Sequence, residues 1–270
     1  MRIIIINMPS AEKRLQFQQD QMKKLGLEFE RFEAITANTL PNTFPNNYWD
    51  TWERPLGLGE RACLLSHRTL WTNIETSGKP ALILEDDVLL SSKLPALLQT
   101  LDEMGANPNQ YQHLSLEVRN RKKLVAKRFK ELSNPRLNIH RMYQDRTGAA
   151  AYILWPQGAT ELLKHTKKRA GLADAMISSA YKMNAYQIEP ACALQFDMCK
   201  YYDLRSPFET KSATYGTLHS DKPHFKQRML YRFRRFKSQL SLGFRHLSNA
   251  LKSERRHIKL DISDFNHSRQ

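Results

Sequence analysis

Cysteine is scarce in this sequence: the three thiols, Cys63, Cys192 and Cys199, are odd in number and far apart among 270 residues. No Cys-x-x-Cys pair is present. The sequence therefore argues against a disulfide scaffold and against a zinc site, and it favours a reducing compartment.

Long hydrophobic runs are also missing. No stretch approaches the roughly 20 apolar residues of a membrane-spanning helix, and the apolar run at residues 3–6 is too short for a signal peptide. We therefore expect the protein to stay in the cytoplasm. Glycine is infrequent, and no Gly-rich phosphate loop follows the first predicted strand. The length and a hydrophobic content of 41% predict one sizeable domain, with or without an appendage.

Acidic residues are nearly absent from one region. Residues 222–259 contain twelve lysines and arginines and one acid, Glu254, so they contribute +11 to the net charge of +15. Apolar residues recur there at helical spacing, which predicts an amphipathic helix; they are Phe225, Met229, Phe233, Phe236, Leu240, Phe244, Leu247 and Leu251. The pattern favours a helix on an anionic membrane surface. Docking on the protein body, on a partner subunit or on nucleic acid are the alternatives.

The most informative stretch is at residues 81–90, where a predicted buried strand runs into Glu85, Asp86 and Asp87. Three adjacent carboxylates repel one another, and a cation relieves that repulsion. Carboxylate oxygens suit Mg²⁺ or Mn²⁺, and α/β sheets bind ligands at the carboxyl ends of their strands. The stretch predicts a metal–diphosphate site, and a solvated acidic loop is an alternative of equal weight.

Other candidates are distributed along the chain. Residues 2–34 predict a strand–helix–strand unit, and Arg14 lies in the first turn of its helix, where a bound anion would offset the helix dipole. Small residues around Gly148 permit close approach to the backbone. Asp174 opens a predicted helix and is either an N-terminal cap or a general base. The basic segment 119–130 predicts a mobile loop, with a cradle for an anionic acceptor as the alternative.

These motifs follow one another in an order that resembles glycosyltransferase family 25, which includes lipooligosaccharide galactosyltransferases and collagen-modifying enzymes. The resemblance covers roughly residues 1–210. It rests above all on the combination of Glu60-x-x-Cys63-x-x-Ser66-His67 with Glu85-Asp86-Asp87; the other matching residues are Asn7, Arg14, Thr147-Gly148, Asp174, Glu189-Pro190 and Gln195.

The resemblance implies a GT-A-like fold, a Rossmann-type mixed α/β sheet flanked by helices, over residues 1–215. A basic amphipathic helical tail would follow at residues 216–270. It also implies transfer of a hexose, galactose from UDP-galactose, with inversion onto a lipooligosaccharide or lipopolysaccharide acceptor, assisted by Mn²⁺ or Mg²⁺. The implied partners are the UDP-sugar donor, a lipid-linked oligosaccharide, and the inner face of the bacterial membrane through residues 222–259; no nucleic acid is expected.

The resemblance also implies roles for individual residues. Asp87 would bind the metal, and Asp174 would be the catalytic base, with Glu189 in reserve. The residues expected at the donor are Asn7, Arg14, Glu60, Ser66, His67, Glu85, Asp86, Thr147 and Gly148.

Three rival interpretations remain at this point. In the first, the donor is UDP-glucose. The sequence leaves this interpretation open because it does not reveal the hydrogen bonds that distinguish sugar epimers. The chain is a non-catalytic membrane- or nucleic-acid-binding protein, in which case Asp87→Asn leaves its activity intact. A metal-dependent phosphohydrolase is the third, but the second cluster of His and Asp ligands that it needs is missing.

Overall fold

A computed structural model describes residues 1–105, 110–145, 148–208 and 224–269. Thr147 and the first residues of the predicted tail, 216–223, lie outside these ranges. The strands are β1 (Arg2–Asn7), β2 (Glu30–Glu33), β3 (Ala81–Glu85), β4 (Val88–Leu90), β5 (His113–Ser115), β6 (Lys123–Leu132), β7 (Leu137–Gln144), β8 (Ala151–Leu154), β9 (Ala185–Glu189), β10 (Ala193–Gln195) and β11 (Ser253–Arg256). The α-helices are α1 (Glu12–Leu25), α2 (Asn46–Trp49), α3 (Leu58–Ser77), α4 (Leu94–Glu103), α5 (Pro156–His165), α6 (Ala173–Ser179) and α7 (Phe225–Asn249).

Nine strands form one mixed sheet in the order β11-β6-β7-β9-β5-β8-β3-β1-β2, and β10 pairs separately with β4. Strand β1 runs parallel to both β2 and β3, whereas β8 is antiparallel to β3. The prediction of a mixed α/β sheet flanked by helices, with a helical C-terminal region, is confirmed.

Both faces of the sheet are covered, which explains the unbroken isoleucine run in β1. Ile3 and Ile5 pack into a core with α4, and Ile4 and Ile6 pack on the opposite face with α3, α5 and α6. Successive side chains of a strand point to opposite faces, so a strand buried on both sides is apolar at every position. The parallel strands β1, β2 and β3 end at the same edge, where Glu85 lies at the last position of β3.

The basic segment 119–130 is largely a strand and not the mobile loop that its charge predicts. Residues 123–130 belong to β6, which pairs with β7 in an antiparallel hairpin. Lys123 is buried, and its ammonium lies 2.6 Å from the Asp145 carboxylate and 2.7 Å from the Gln187 amide oxygen. The backbone pairing and this buried ion pair offset the cost of placing a lysine in the sheet.

The C-terminal residues return to the sheet after α7. Strand β11 pairs with β6, and Ile258 and Phe265 are buried in a third apolar cluster beside Leu89 and Val118. The division of the chain at residue 215 stays a prediction. What the structure adds is that residues 253–265 are part of the same folded body, so a truncation at residue 222 would also open the core.

Helix α7 turns its polar face to the body. Tyr231 donates to the Asp50 carboxylate, Arg234 donates to the carbonyl oxygens of Asp50 and Trp52, and Arg245 donates to the Tyr143 carbonyl. The opposite face carries an apolar stripe, which we call the outward stripe: Phe225, Met229, Phe233, Phe236, Leu240, Phe244 and Leu247, each between 47% and 77% exposed. The predicted stripe is thus present, and it does not dock on the described part of the body. Among the described residues, no helix is both long and apolar enough to cross a membrane.

Candidate active site

A cavity of about 2130 Å³ opens where strand β3 ends. Its walls come from α1, α3, the turn after β3, the segment from α5 to residue 182, and α7, together with Arg119, Arg121, Asp145, Gly148 and Ala149. Pockets for single small ligands measure about 300–1,000 Å³. This cavity therefore has room for two substrates side by side.

Two acids occupy the inner wall of the cavity. The Gln195 amide nitrogen lies 3.3 Å from a carboxylate oxygen of Glu85 and 3.3 Å from one of Asp87. Burial, followed by repulsion from neighbouring carboxylates, raises the pKa of Glu85 to about 7. Burial and the Glu85 charge likewise raise the pKa of Asp87 to about 7. Two carboxylates that resist ionisation in this way form a site that a cation would stabilise.

The third acid, Asp86, is already paired. Its carboxylate accepts from the Asn7 amide at 2.7 Å and from the Arg14 guanidinium at 3.0 Å. Asn7 is fully buried, does not line the cavity and accepts from Arg31 at 3.1 Å. The structure therefore places Asn7 behind the acidic turn, whereas Arg14 reaches the cavity. Gln18 also holds the turn, since its amide donates to the Asp86 and Val88 carbonyls.

His67 links the acids to the protein core. Its Nδ1 lies 2.9 Å from the Tyr152 hydroxyl, and its Nε2 lies 3.3 Å from Glu85. Trp71 donates to the same hydroxyl at 2.8 Å, so the tyrosine proton is free to point at Nδ1 and the Nε2 proton at Glu85. Burial lowers the pKa of His67 to about 4, so the ring is neutral at neutral pH. His67 therefore donates a hydrogen bond to Glu85 and orients its carboxylate without adding a positive charge.

Glu60 and Ser66 line the cavity but have structural partners. Glu60 accepts from the Gly57 backbone at 2.9 Å and from both terminal nitrogens of Arg54 at 2.9 and 2.6 Å. Ser66 donates to the Ala62 carbonyl and accepts from the Ile35 backbone. Glu60 fixes the start of α3 and Ser66 fixes the segment just after β2, and both thereby shape the wall.

One further group of side chains has metal-ligand spacing. The Cys63 sulfur, a His67 ring nitrogen and a Glu85 oxygen all lie within 4.8 Å of one another. Burial raises the pKa of the Cys63 thiol well above its ordinary value, which keeps it protonated. A hard cation such as Mn²⁺ or Mg²⁺ prefers oxygen ligands. The oxygens of Glu85 and Asp87 therefore fit such an ion better than this group does.

Gly148 adopts a backbone conformation with φ of +117°, and a Cβ there would lie 3.0 Å from Glu117. Glu117 is not among the predicted site residues; it is buried and accepts from the Ala150 and Ala151 backbones. It fixes the small-residue segment that leads into β8. Gly148 lines the cavity as expected; Thr147 is outside the described residues.

The two acids considered as the base are far from equivalent. Asp174 lines the cavity, near the start of α6, and burial raises its pKa. Glu189 does not line the cavity. Its two carboxylate oxygens accept hydrogen bonds from the Arg256 guanidinium at 2.5 and 2.6 Å, and the His140 Nε2 lies 3.2 Å from one of them. Burial alone would raise the pKa of Glu189, but these hydrogen bonds lower it to about 2. The structure thus brings Asp174 to the cavity and uses Glu189 as a structural partner of β11.

Removing the Glu189 charge is expected to destabilise the fold. In Glu189→Gln the half-buried Arg256 guanidinium loses the Glu189 charge and keeps only Glu254, which costs about 2 kcal/mol of unfolding free energy. Urea unfolding measures this. Glu30→Gln removes the exposed partner of Arg2 and should cost less than about 1 kcal/mol. Equal effects of the two changes would contradict this assignment.

The raised pKa values of Glu85 and Asp87 give stability a pH dependence. Between their ordinary values and pH 7, the folded protein holds protons that the unfolded chain has released, so its free energy of unfolding falls as pH rises towards 7. In a metal chelator, urea unfolding should therefore find the protein more stable at pH 5.5 than at pH 8. Asp87→Asn should reduce this difference; an unchanged difference would show that Asp87 does not titrate there.

The comparisons with known proteins agree on one family. The family model described as glycosyltransferase family 25 (LPS biosynthesis protein) matches residues 1–178. The chain is similar to the lipooligosaccharide biosynthesis protein Lic2B of Haemophilus influenzae, with 24% identity over 222 residues, 78% of this chain and 83% of that protein. It is also similar to a glycosyltransferase 25 family member of Drosophila melanogaster, with 27% identity over 177 residues, 60% of this chain and 27% of that protein.

A weaker structural likeness was found to a Drosophila β1,4-galactosyltransferase 7 mutant in complex with manganese, UDP-galactose and xylobiose. The TM-score is 0.34 and the identity 9%, over 83% of this chain and 82% of that one. The family model, in contrast, covers more than half of the chain and includes the acidic strand end, the α3 motif and Asp174. The chain belongs to glycosyltransferase family 25.

Proposed function

We propose that this glycosyltransferase moves galactose from UDP-galactose, with inversion, onto a lipooligosaccharide or lipopolysaccharide acceptor. One observation carries the proposal: two acids with pKa values near 7, Glu85 and Asp87, share the inner wall of a cavity that has room for two substrates. The similarity to a protein named for lipooligosaccharide biosynthesis supports the acceptor class.

The residues at this wall fit a divalent metal. Asp87 and Glu85 would hold it, because their oxygens are hard ligands and their charges are not neutralised by a lysine or arginine within 4.0 Å among the described residues. A bound Mn²⁺ or Mg²⁺ would neutralise the charge that develops on the departing UDP. Gln195 orients both carboxylates, and His67 holds Glu85 from the other side.

The acceptor hydroxyl must lose a proton as it attacks the anomeric carbon, and inversion requires one base for this. Asp174 is the proposed base. It lies in the cavity, and its raised pKa makes it a better proton acceptor than an ordinary aspartate. Arg14 lines the cavity beside the acidic turn, bonded to Asp86, and would contact the nucleotide phosphates.

The function is tested by turnover. The full-length protein is incubated with Mn²⁺, a lipooligosaccharide lacking its terminal galactose and one of a panel of UDP-sugars, and UDP release and the new linkage are measured. We expect UDP-galactose to be used and the product to have the opposite anomeric configuration. Use of UDP-glucose instead would change the donor; absence of transfer from every UDP-sugar, or retention of configuration, would overturn the proposal.

We further propose that α7 binds the enzyme peripherally to the cytoplasmic face of the bacterial membrane. The outward stripe is unpaired, and exposed cations flank it at Lys226, Arg228 and Arg232. Large apolar residues between cations are suited to anionic lipid, where each well-placed cation contributes about 1 kcal/mol.

Replacing two phenylalanines of the outward stripe should release the enzyme from vesicles. Phe236→Gln with Phe244→Gln keeps helix propensity and all charges, and losing two buried aromatic side chains should weaken binding by roughly 10²-fold. Co-sedimentation with phosphatidylglycerol vesicles measures this. Phe129→Gln, also at an exposed phenylalanine but on β6, is the control. If the double variant instead converts a dimer to a monomer and binds vesicles normally, the stripe is a subunit interface.

A further inference from the structure

We propose that the wall of the cavity formed by α7 and by the segments after α5 and α6 is a subsite for an anionic substituent, a phosphate or carboxylate, of the acceptor saccharide. The inference rests on the proposed function and deepens it, because it names a chemical class of acceptor. Its central residues are Lys168, Lys182 and Lys237, all of which line the cavity.

The cations that line the cavity differ in whether they have an acidic partner. Several cations that line it are neutralised: Arg14 by Asp86, Arg54 by Glu60, Lys164 by Glu161 and Arg119 by Asp197. Lys168, Lys182 and Lys237 have no ion pair within the parts of the chain that the structure describes. These three lysines line the same cavity as Glu85 and Asp87 at the end of β3, and the proposed base Asp174 lies between Lys168 and Lys182 in the chain.

Hydrogen bonds from two arginines, which we call anchors, hold α7 against the body beside the cavity. At one end Arg234 is fixed on the carbonyls of Asp50 and Trp52; at the other, Arg245 is fixed on the Tyr143 carbonyl and lies 4.4 Å from the centre of the Tyr181 ring. Arg234 and Arg245 are eleven positions apart in the chain, which corresponds to about 16 Å along the helix. Helix α7 therefore lines the cavity between these two anchors.

The span between the anchors presents polar side chains to the cavity. Lys237, Ser238 and Ser241 line it there, and the Arg245 anchor next to Tyr181 brings the loop that carries Lys182 to the same helix. At the Arg234 anchor, which donates to the Trp52 carbonyl, the Arg169 guanidinium lies 6.0 Å from the centre of the Trp52 ring, and Lys168 precedes Arg169 in the chain. Lysines combined with hydroxyls are suited to a phosphate or carboxylate, whose oxygens accept from both.

The donor diphosphate is the competing source of negative charge. The proposed metal acids and Arg14 lie on β3, the turn after it and α1, whereas the three lysines lie on later elements of the chain. The acceptor has to approach from a wall other than the donor wall for its hydroxyl to face the anomeric carbon. An anionic group on the acceptor is therefore the occupant that these three lysines favour.

The test uses lipid-free core oligosaccharide, so that membrane binding plays no part. It is offered intact, dephosphorylated, or with its carboxylates reduced, to wild type and to the double variant Lys168→Gln/Lys237→Gln. Lys79→Gln/Lys130→Gln, which removes two exposed lysines elsewhere, is the matched control. Turnover gives KM for the acceptor and for UDP-galactose, and calorimetry gives the affinity for each oligosaccharide without the donor.

We expect the cavity variant to raise the acceptor KM and Kd about ten-fold, the loss of charge-assisted contacts at a solvated site, with the KM for UDP-galactose unchanged. The dephosphorylated or the carboxyl-reduced oligosaccharide should show the same loss with wild type, which identifies the group. A raised KM for UDP-galactose would assign the lysines to the donor, and unchanged acceptor affinity would overturn the subsite. If no sugar is transferred, the calorimetric arm still decides the subsite, and the proposed function alone has failed.

Discussion

Asp87→Asn should abolish metal-dependent binding of UDP-galactose and lower turnover by about 10²–10³-fold, the usual cost of removing one electrostatic stabiliser of a leaving group. The change keeps the side-chain shape and the hydrogen-bond capacity toward Gln195, whose amide lies 3.3 Å from the Asp87 carboxylate. It removes only the charge. Calorimetric titration of a UDP-sugar panel, with and without Mn²⁺, measures the loss of binding.

The matched control is Asp102→Asn on α4, whose carboxylate is paired with the chain's amino terminus on the surface. It should bind donor and metal as wild type does. If Asp87→Asn still binds the donor with full Mn²⁺ dependence, Asp87 is not the metal ligand. The Cys63, His67 and Glu85 group would then be the next candidate, and Cys63→Ala would test it.

Asp174→Asn is expected to lower kcat by about 10²–10⁴-fold, the range that a positioned general base supplies. Donor affinity and thermal stability should stay close to wild type, because the Asp174 carboxylate accepts from the Ala175 backbone at 2.7 Å, a contact that the Asn oxygen also makes. Single-turnover measurements of UDP release with saturating acceptor isolate the chemical step.

The contrast with Glu189→Gln makes this assignment sharp. That variant should lose stability and keep its kcat below its melting temperature, since Glu189 bonds Arg256 and does not line the cavity. Asp174→Asn should do the reverse. If Glu189→Gln instead loses turnover while folded, and Asp174→Asn does not, the base has been misassigned.

Much of the fold follows from hydrophobic pattern. The isoleucines of β1, the strand–helix–strand pattern of residues 2–34 and the apolar periodicity of α7 all predict elements that the structure contains. The β6–β7 hairpin was not predicted, because its strand is rich in lysine and arginine. Its stability comes from partners distant in sequence, Asp145 and Gln187 for the buried Lys123, which a local pattern does not reveal.

The site was predicted in its chemistry more than in its contacts. The sequence placed the three acids at a strand end, but it did not show that Asp86 is held by Asn7 and Arg14 while Glu85 and Asp87 face the cavity. For Glu189 the residue type fitted a base, and only the tertiary contact with Arg256 shows its other use. Periodicity likewise predicted the α7 stripe without saying which face meets the body.

The proposed binding of α7 to the membrane would limit which sugars the enzyme reaches. The same helix faces the cavity on one side and exposes its phenylalanines on the other. With those phenylalanines in the lipid, the full thickness of the helix, about 10–12 Å, separates the bilayer from the reacting hydroxyl. Sugars adjacent to the lipid would then lie below the level of the cavity and stay unmodified. Only sugars farther along the glycan would enter the cavity. On the proposed membrane orientation, helix α7 would select the acceptor position by its height above the bilayer.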